Sequence, residues 1–123
     1  MRILFFIATF LSAFSANVCA ATTYVCHYPT YSDTEGKYEA KNFNLTFLVD
    51  EDSKKSYMVG ELGSSEVSYI PQKNALSFIE ITDTGNVMST AIDEKLNSVH
   101  SRNTLILGSL TPSQYYGTCI VKH

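Results

Sequence analysis

The sequence predicts an all-β domain, a small antiparallel up-and-down barrel or sandwich of about eight strands, on three observations. Short apolar runs rich in Val, Ile, Thr, Tyr and Phe alternate with period two. Prolines and glycines fall between those runs, where turns belong. No stretch keeps an apolar i, i+3, i+4, i+7 face for long enough to make an amphipathic helix.

Taken in order, Thr22–Tyr28 is a first strand that ends at Pro29, and a polar loop over Tyr31–Lys37 follows. The second strand is long, Tyr38–Val49, with Phe43, Leu45, Phe47 and Val49 on one face. The acidic turn Asp50-Glu51-Asp52-Ser53-Lys54 leads into Ser56–Gly60, and a turn over Glu61–Ser65 leads into Glu66–Ile70. Pro71-Gln72-Lys73-Asn74 separates that strand from Ala75–Thr82. Asp83-Thr84-Gly85-Asn86 reads as a hairpin turn into Val87–Ile92. Asp93–Asn97 then turns the chain into Ser98–Leu107. A loop over Gly108–Gln114 precedes the last strand, Tyr115–Lys122.

The first segment has the composition of a cleaved signal peptide, residues 1–20, leaving a single β domain over 21–123. Arg2 is its only charge, Ile3–Phe14 is a charge-free apolar run, and small residues at Val18/Ala20 or Cys19/Ala21 offer cleavage after Ala20 or Ala21. The run is shorter than the ~20 residues a membrane span needs. A lipid anchor through Cys19 is disfavoured, because Asn17-Val18 ahead of it makes a poor lipobox. The expected destination is therefore secreted or periplasmic.

In that oxidising space Cys19 leaves with the signal, and Cys26 and Cys119 remain as a pair. They lie in the first and last strands, which are antiparallel neighbours in an up-and-down barrel. Opposed residues there sit ~4.5–5.5 Å apart at Cα, within disulfide range. A bridge between them staples the seam where a sheet edge is otherwise open. By alternation Tyr24, Cys26 and Tyr28 share a face, as do Tyr115, Gly117, Cys119 and Val121, with His27 and Tyr116 opposite.

Loss of Arg2 leaves eight basic residues against twelve acidic, a formal charge of −4 spread along the chain. Nucleic-acid binding needs clustered Lys and Arg, and anionic membranes need a polybasic patch; the chain has neither. No membrane association is expected once the signal is cleaved.

Motifs that carry chemistry are weak. Asp83-Thr84-Gly85 resembles the catalytic triplet of aspartic proteases, and Leu105–Gly108 resembles the hydrophobic-hydrophobic-Gly segment behind it. Asn86 departs from that pattern, and too few residues separate the two segments to hold a flap. A dyad also needs a second carboxylate, so the hairpin-turn reading is preferred. Asp50–Glu61 imitates a calcium-loop spacing, but Lys54 and Lys55 occupy positions that need a ligand and a glycine. His27, His100 and His123 share no metal spacing. No catalytic residue, metal or cofactor is expected. Asn44-Leu45-Thr46 matches a glycosylation sequon.

Two segments remain as candidate partner-binding positions. In Val99–Thr104, His100 and Arg102 share a face that reads as outward and polar, with Leu105 and Leu107 packing inward. Tyr115 and Tyr116 adjoin a loop, where rigid tyrosines serve as interface anchors. The primary functional reading is an exported, non-enzymatic binding or inhibitor-like module for an unknown protein partner. In layout alone the chain is similar to bacterial periplasmic lysozyme inhibitors, which are small exported barrels with one bridge tying their ends. The alternative is a small-ligand carrier using the barrel interior; it stands second because short strands imply an interior mostly filled by its own side chains, and an enclosed apolar cavity of ~300 Å³ or more favours it.

Overall fold

The computed structural model describes residues 21–123; the expected signal segment, 1–20, lies outside them. Eight antiparallel strands follow one another: β1 (Ala21–Ser32), β2 (Lys37–Asp50), β3 (Ser56–Gly60), β4 (Gly63–Pro71), β5 (Ala75–Ile81), β6 (Val87–Asp93), β7 (Asn97–Ile106) and β8 (Ser109–Lys122). Each pairs with its chain neighbours, and β8 returns to β1, so the sheet is a closed barrel and not a sandwich. In the β1–β8 register Cys26 stands directly opposite Cys119, and the two form a disulfide with Cα atoms 4.0 Å apart.

Strand ends differ from the sequence reading where turns are tighter than the composition implies. Gly108–Gln114 is mostly strand, because the β7–β8 connection is only Leu107-Gly108. Both residues have positive φ, 49° and 80°, as a type I′ hairpin requires. Pro112 is tolerated inside β8 for a geometric reason. Counted from the closing pair Ile106–Ser109, its nitrogen points away from β7, and the β1 ladder has already ended at Ser32–Gln114. Likewise β4 starts at Gly63 because Glu61-Leu62 alone makes the turn. Pro29 does not end β1: it sits at a register shift against both β2 and β8, where no ladder donor is lost.

Inward parity fills the end of the barrel that carries residues 21 and 122. Phe47 and Phe78 stack with centroids 4.4 Å apart, and Tyr69 stacks on Phe78 at 5.4 Å. Cys26, Cys119 and Tyr28 are buried beside them, while His27 is exposed, as the alternation of β1 requires. One polar chain crosses this core. Ser98 Oγ donates to the Ala91 carbonyl at 3.0 Å, so its single proton is used and the Tyr28 hydroxyl must donate to Ser98 at 2.8 Å. Burial pushes the Tyr28 phenol up to about 12.

Candidate functional site

The opposite end, which carries the β1–β2, β3–β4, β5–β6 and β7–β8 turns, is not filled. The cause lies in unequal strand lengths. β2 has 14 residues and β3 only 5. Their ladder covers only Thr46–Val49 against Ser56–Val59, and β4 meets β5 only from Ser68 to Pro71. The tip of the β3–β4 hairpin therefore stands clear of both neighbouring strands. A bulge widens the gap: between successive β1–β2 pairs, Ala40, Lys41 and Asn42 oppose the single residue Pro29, with Asn42 at φ 51°.

Between these elements lies a cavity of about 470 Å³, open at the mouth. This volume falls in the range of small-molecule sites. Phe43, Leu45, Met58 and Met88 give it apolar walls. Glu80, His100 and Arg102 supply its polar groups, and Lys41 and Glu61 stand in the same lining.

The arrangement of those groups follows from register. Glu80 on β5 pairs with Met88 on β6, which pairs with Arg102 on β7, so the three make one inward row. Two strand spacings place the Glu80 and Arg102 backbones about 10 Å apart. Glu80 Oε2 and Arg102 Nε are shielded from solvent without a hydrogen-bond partner among the described residues. An unmade hydrogen bond to such a group forfeits about 1–3 kcal/mol. One step deeper, His100 is 1% exposed, and its Nδ1 is bonded to Thr90 Oγ1 at 2.7 Å. Burial, and then the neighbouring Arg102 charge, lower its pKa to about 4, so the ring is neutral near pH 7.

His100 and Arg102 therefore face inward, which corrects the outward face read from the sequence. Leu105 and Leu107, expected to pack inside, are 52% and 101% exposed. Polar residues on a strand ordinarily mark its solvent face, but here the interior itself is a polar-ended cavity, and the rule inverts. Tyr115 is also part of the interior. It stacks on Phe43 at 4.1 Å and on Tyr31 at 5.1 Å, forming the aromatic flank of the His100 pocket. Of the four candidate partner-binding residues only Tyr116 lies on the outer face, where Lys37 Nζ sits 5.9 Å from its ring centroid. Its hydroxyl is tied to Gln114 and Ser32.

Glu80 and Met88 were not singled out from the sequence. The signal was present, because each lies two residues from an inward-facing buried residue, Phe78 and Thr90. Asp83-Thr84-Gly85 forms an exposed hairpin turn, closed by Gly85 N–H to the Thr82 carbonyl at 2.9 Å. Asp50 uses its carboxylate to accept the Asp52 and Ser53 amides, making the β2–β3 turn. Asn44 is exposed on β2 and accepts from His27 Nδ1 at 2.7 Å. The chain matches no protein-family model, no curated protein and no solved structure.

Proposed function

We propose that this chain is an exported, non-enzymatic carrier that holds a small amphipathic molecule in the mouth of its barrel. The observation that carries this reading is the 470 Å³ cavity, whose apolar walls end in inward-facing Glu80, His100 and Arg102. It reverses the order of the two sequence readings, since an interior filled by its own side chains is the premise that puts the protein partner first; the cavity is open at its mouth and polar at one end, not enclosed and wholly apolar. The Cys26–Cys119 bridge is compatible with an oxidising extracellular compartment, and the signal-like first segment supports export to the periplasm or beyond. Non-denaturing mass spectrometry of protein purified from its own source tests the carrier reading. A bound mass that disappears on mild denaturation is expected. A bare chain that also fails to bind amphipathic fluorophores would overturn it.

A second reading is favoured by one observation at the β7–β8 tip. Leu107 is fully exposed at φ 49°, a conformation that costs a non-glycine residue about 1–2 kcal/mol. Backbone strain kept at an exposed apolar residue supports a contact role for it. Leu105 and Leu110 pair beside it and are also exposed. Here a protein partner seats on the tip and not on His100 or Arg102. If so, Leu107→Asn abolishes co-purification of that partner with the oxidised protein, and unchanged recovery rejects this reading.

A further inference from the structure

The cavity holds opposite charges that do not neutralise each other through their buried atoms. Glu80 Oε2 and Arg102 Nε have no hydrogen-bond partner among the described residues, and Met88 separates the two side chains along the row. At the rim the lining adds Lys41 and Glu61, one charge of each sign. His100 contributes no charge near neutral pH. The lining is thus balanced in total and divided in space.

A ligand with a single charge satisfies one of the two half-buried inner groups and leaves the shielded atom of the other unpaired, which penalises binding. A wholly apolar ligand leaves both unpaired. A ligand with both charges at one end satisfies both, with the guanidinium offering donors in a fork and the carboxylate accepting from an ammonium. Resting on the carrier reading, we infer that the natural ligand is an amphipathic zwitterion. Its anionic group seats on Arg102, its ammonium seats on Glu80, and its apolar body lies against Phe43, Leu45 and Met58.

Three dansyl compounds of similar length test this on the oxidised protein by fluorescence titration: zwitterionic Nε-dansyl-lysine, cationic dansylcadaverine and anionic dansyl-aminohexanoate. The zwitterion is expected to bind at least about tenfold more tightly than either singly charged compound. Arg102→Gln should weaken the zwitterion and the anion while sparing the cation. Glu80→Gln should weaken the zwitterion and the cation while sparing the anion. Arg102→Lys, which keeps the charge, should retain most of the preference, and a thermal melt of each variant separates lost binding from lost folding. Equal binding of all three compounds by the wild-type protein, or variants that weaken all three alike while folded, would overturn the zwitterion assignment and leave the cavity a ligand site. Absence of binding by all three would remove the carrier reading itself.

Discussion

Tyr28 reaches Ser98 across an entire intervening strand. Its hydroxyl lies 2.8 Å from Ser98 Oγ, although β8 runs between β1 and β7. The residue of β8 opposite Ser98 is Gly117, the one place where that strand presents no side chain to the interior.

The direction of this relay makes Ser98 more costly to remove than Tyr28. Tyr28→Phe leaves the Ser98-to-Ala91 bond intact and should cost about 1 kcal/mol. Ser98→Ala strands the buried phenol and also removes the side-chain bond to the Ala91 carbonyl, and should cost about 2–3 kcal/mol. Urea denaturation of both variants checks the order; equal costs would mean that the relay does not run as assigned.

Gly117 should tolerate no substitution. A Cβ there would overlap the His27 carbonyl oxygen and lie 2.8 Å from Tyr28 Cα, both backbone atoms of β1. Relief requires prising apart the β1–β8 seam next to the disulfide. Gly117→Ala is expected to cost about 3 kcal/mol or more, read as a fall in Tm of well over about 10 °C.

Acid should weaken the fold through His100. Burial holds its folded-state pKa at about 4, below the ordinary 6.5. The unfolded chain therefore binds the extra proton first as pH drops. Stability is intact above pH 6.5 and falls between 6.5 and 4, by about 3 kcal/mol in all. The turn carboxyls of Asp50 and Asp93, held below their ordinary value of 3.8 by hydrogen bonds, contribute only below that range. Denaturation midpoints from pH 7 to 4 should slope for the wild-type protein and flatten for His100→Gln. A wild-type profile that is already flat would contradict the buried neutral imidazole.

Filling the cavity should abolish binding without harming the fold. Gly60 lines the cavity, and a Cβ there meets only Leu45 Cδ2, at an ordinary 3.6 Å. Gly60→Phe places a ring in the open volume and replaces a strand glycine, a change worth about 0.5–1 kcal/mol in favour of folding. Tm should hold or rise while dansyl-lysine binding is lost. Retained binding would place the ligand elsewhere.

The β7–β8 tip should be improvable by its own turn chemistry. Asn-Gly is the preferred pair for a type I′ hairpin, so Leu107→Asn should stabilise the chain by about 1 kcal/mol, or roughly 4–8 °C in Tm. Calorimetry reads this directly, and a lower Tm would mean that Leu107 contributes to the fold.

Much of the barrel was legible because its strands alternate and its cysteines sit in the first and last of them. Ser56–Gly60 was read with both ends correct, and the pairing of Cys26 with Cys119 followed from closure of the barrel. Pro29 and Pro112 misled because each reads as a stop, whereas a bulge and an unpaired ladder side accommodate them. The site was harder to see. Leu105 and Leu107 look like core beside His100 and Arg102, and only the register of the Leu107-Gly108 turn shows that this strand is turned the other way. The cavity itself arises from the mismatch between a 14-residue and a 5-residue strand, a relation between elements that composition does not display.

Because Thr23 pairs with Lys122, the chain enters and leaves the barrel side by side, at the pole remote from Glu80 and Arg102. Anything joined ahead of Ala21 or behind Lys122, whether a lipid tether, a display scaffold or a sensor surface, would hold the molecule by its base. The aperture would then point outward, free to exchange its contents.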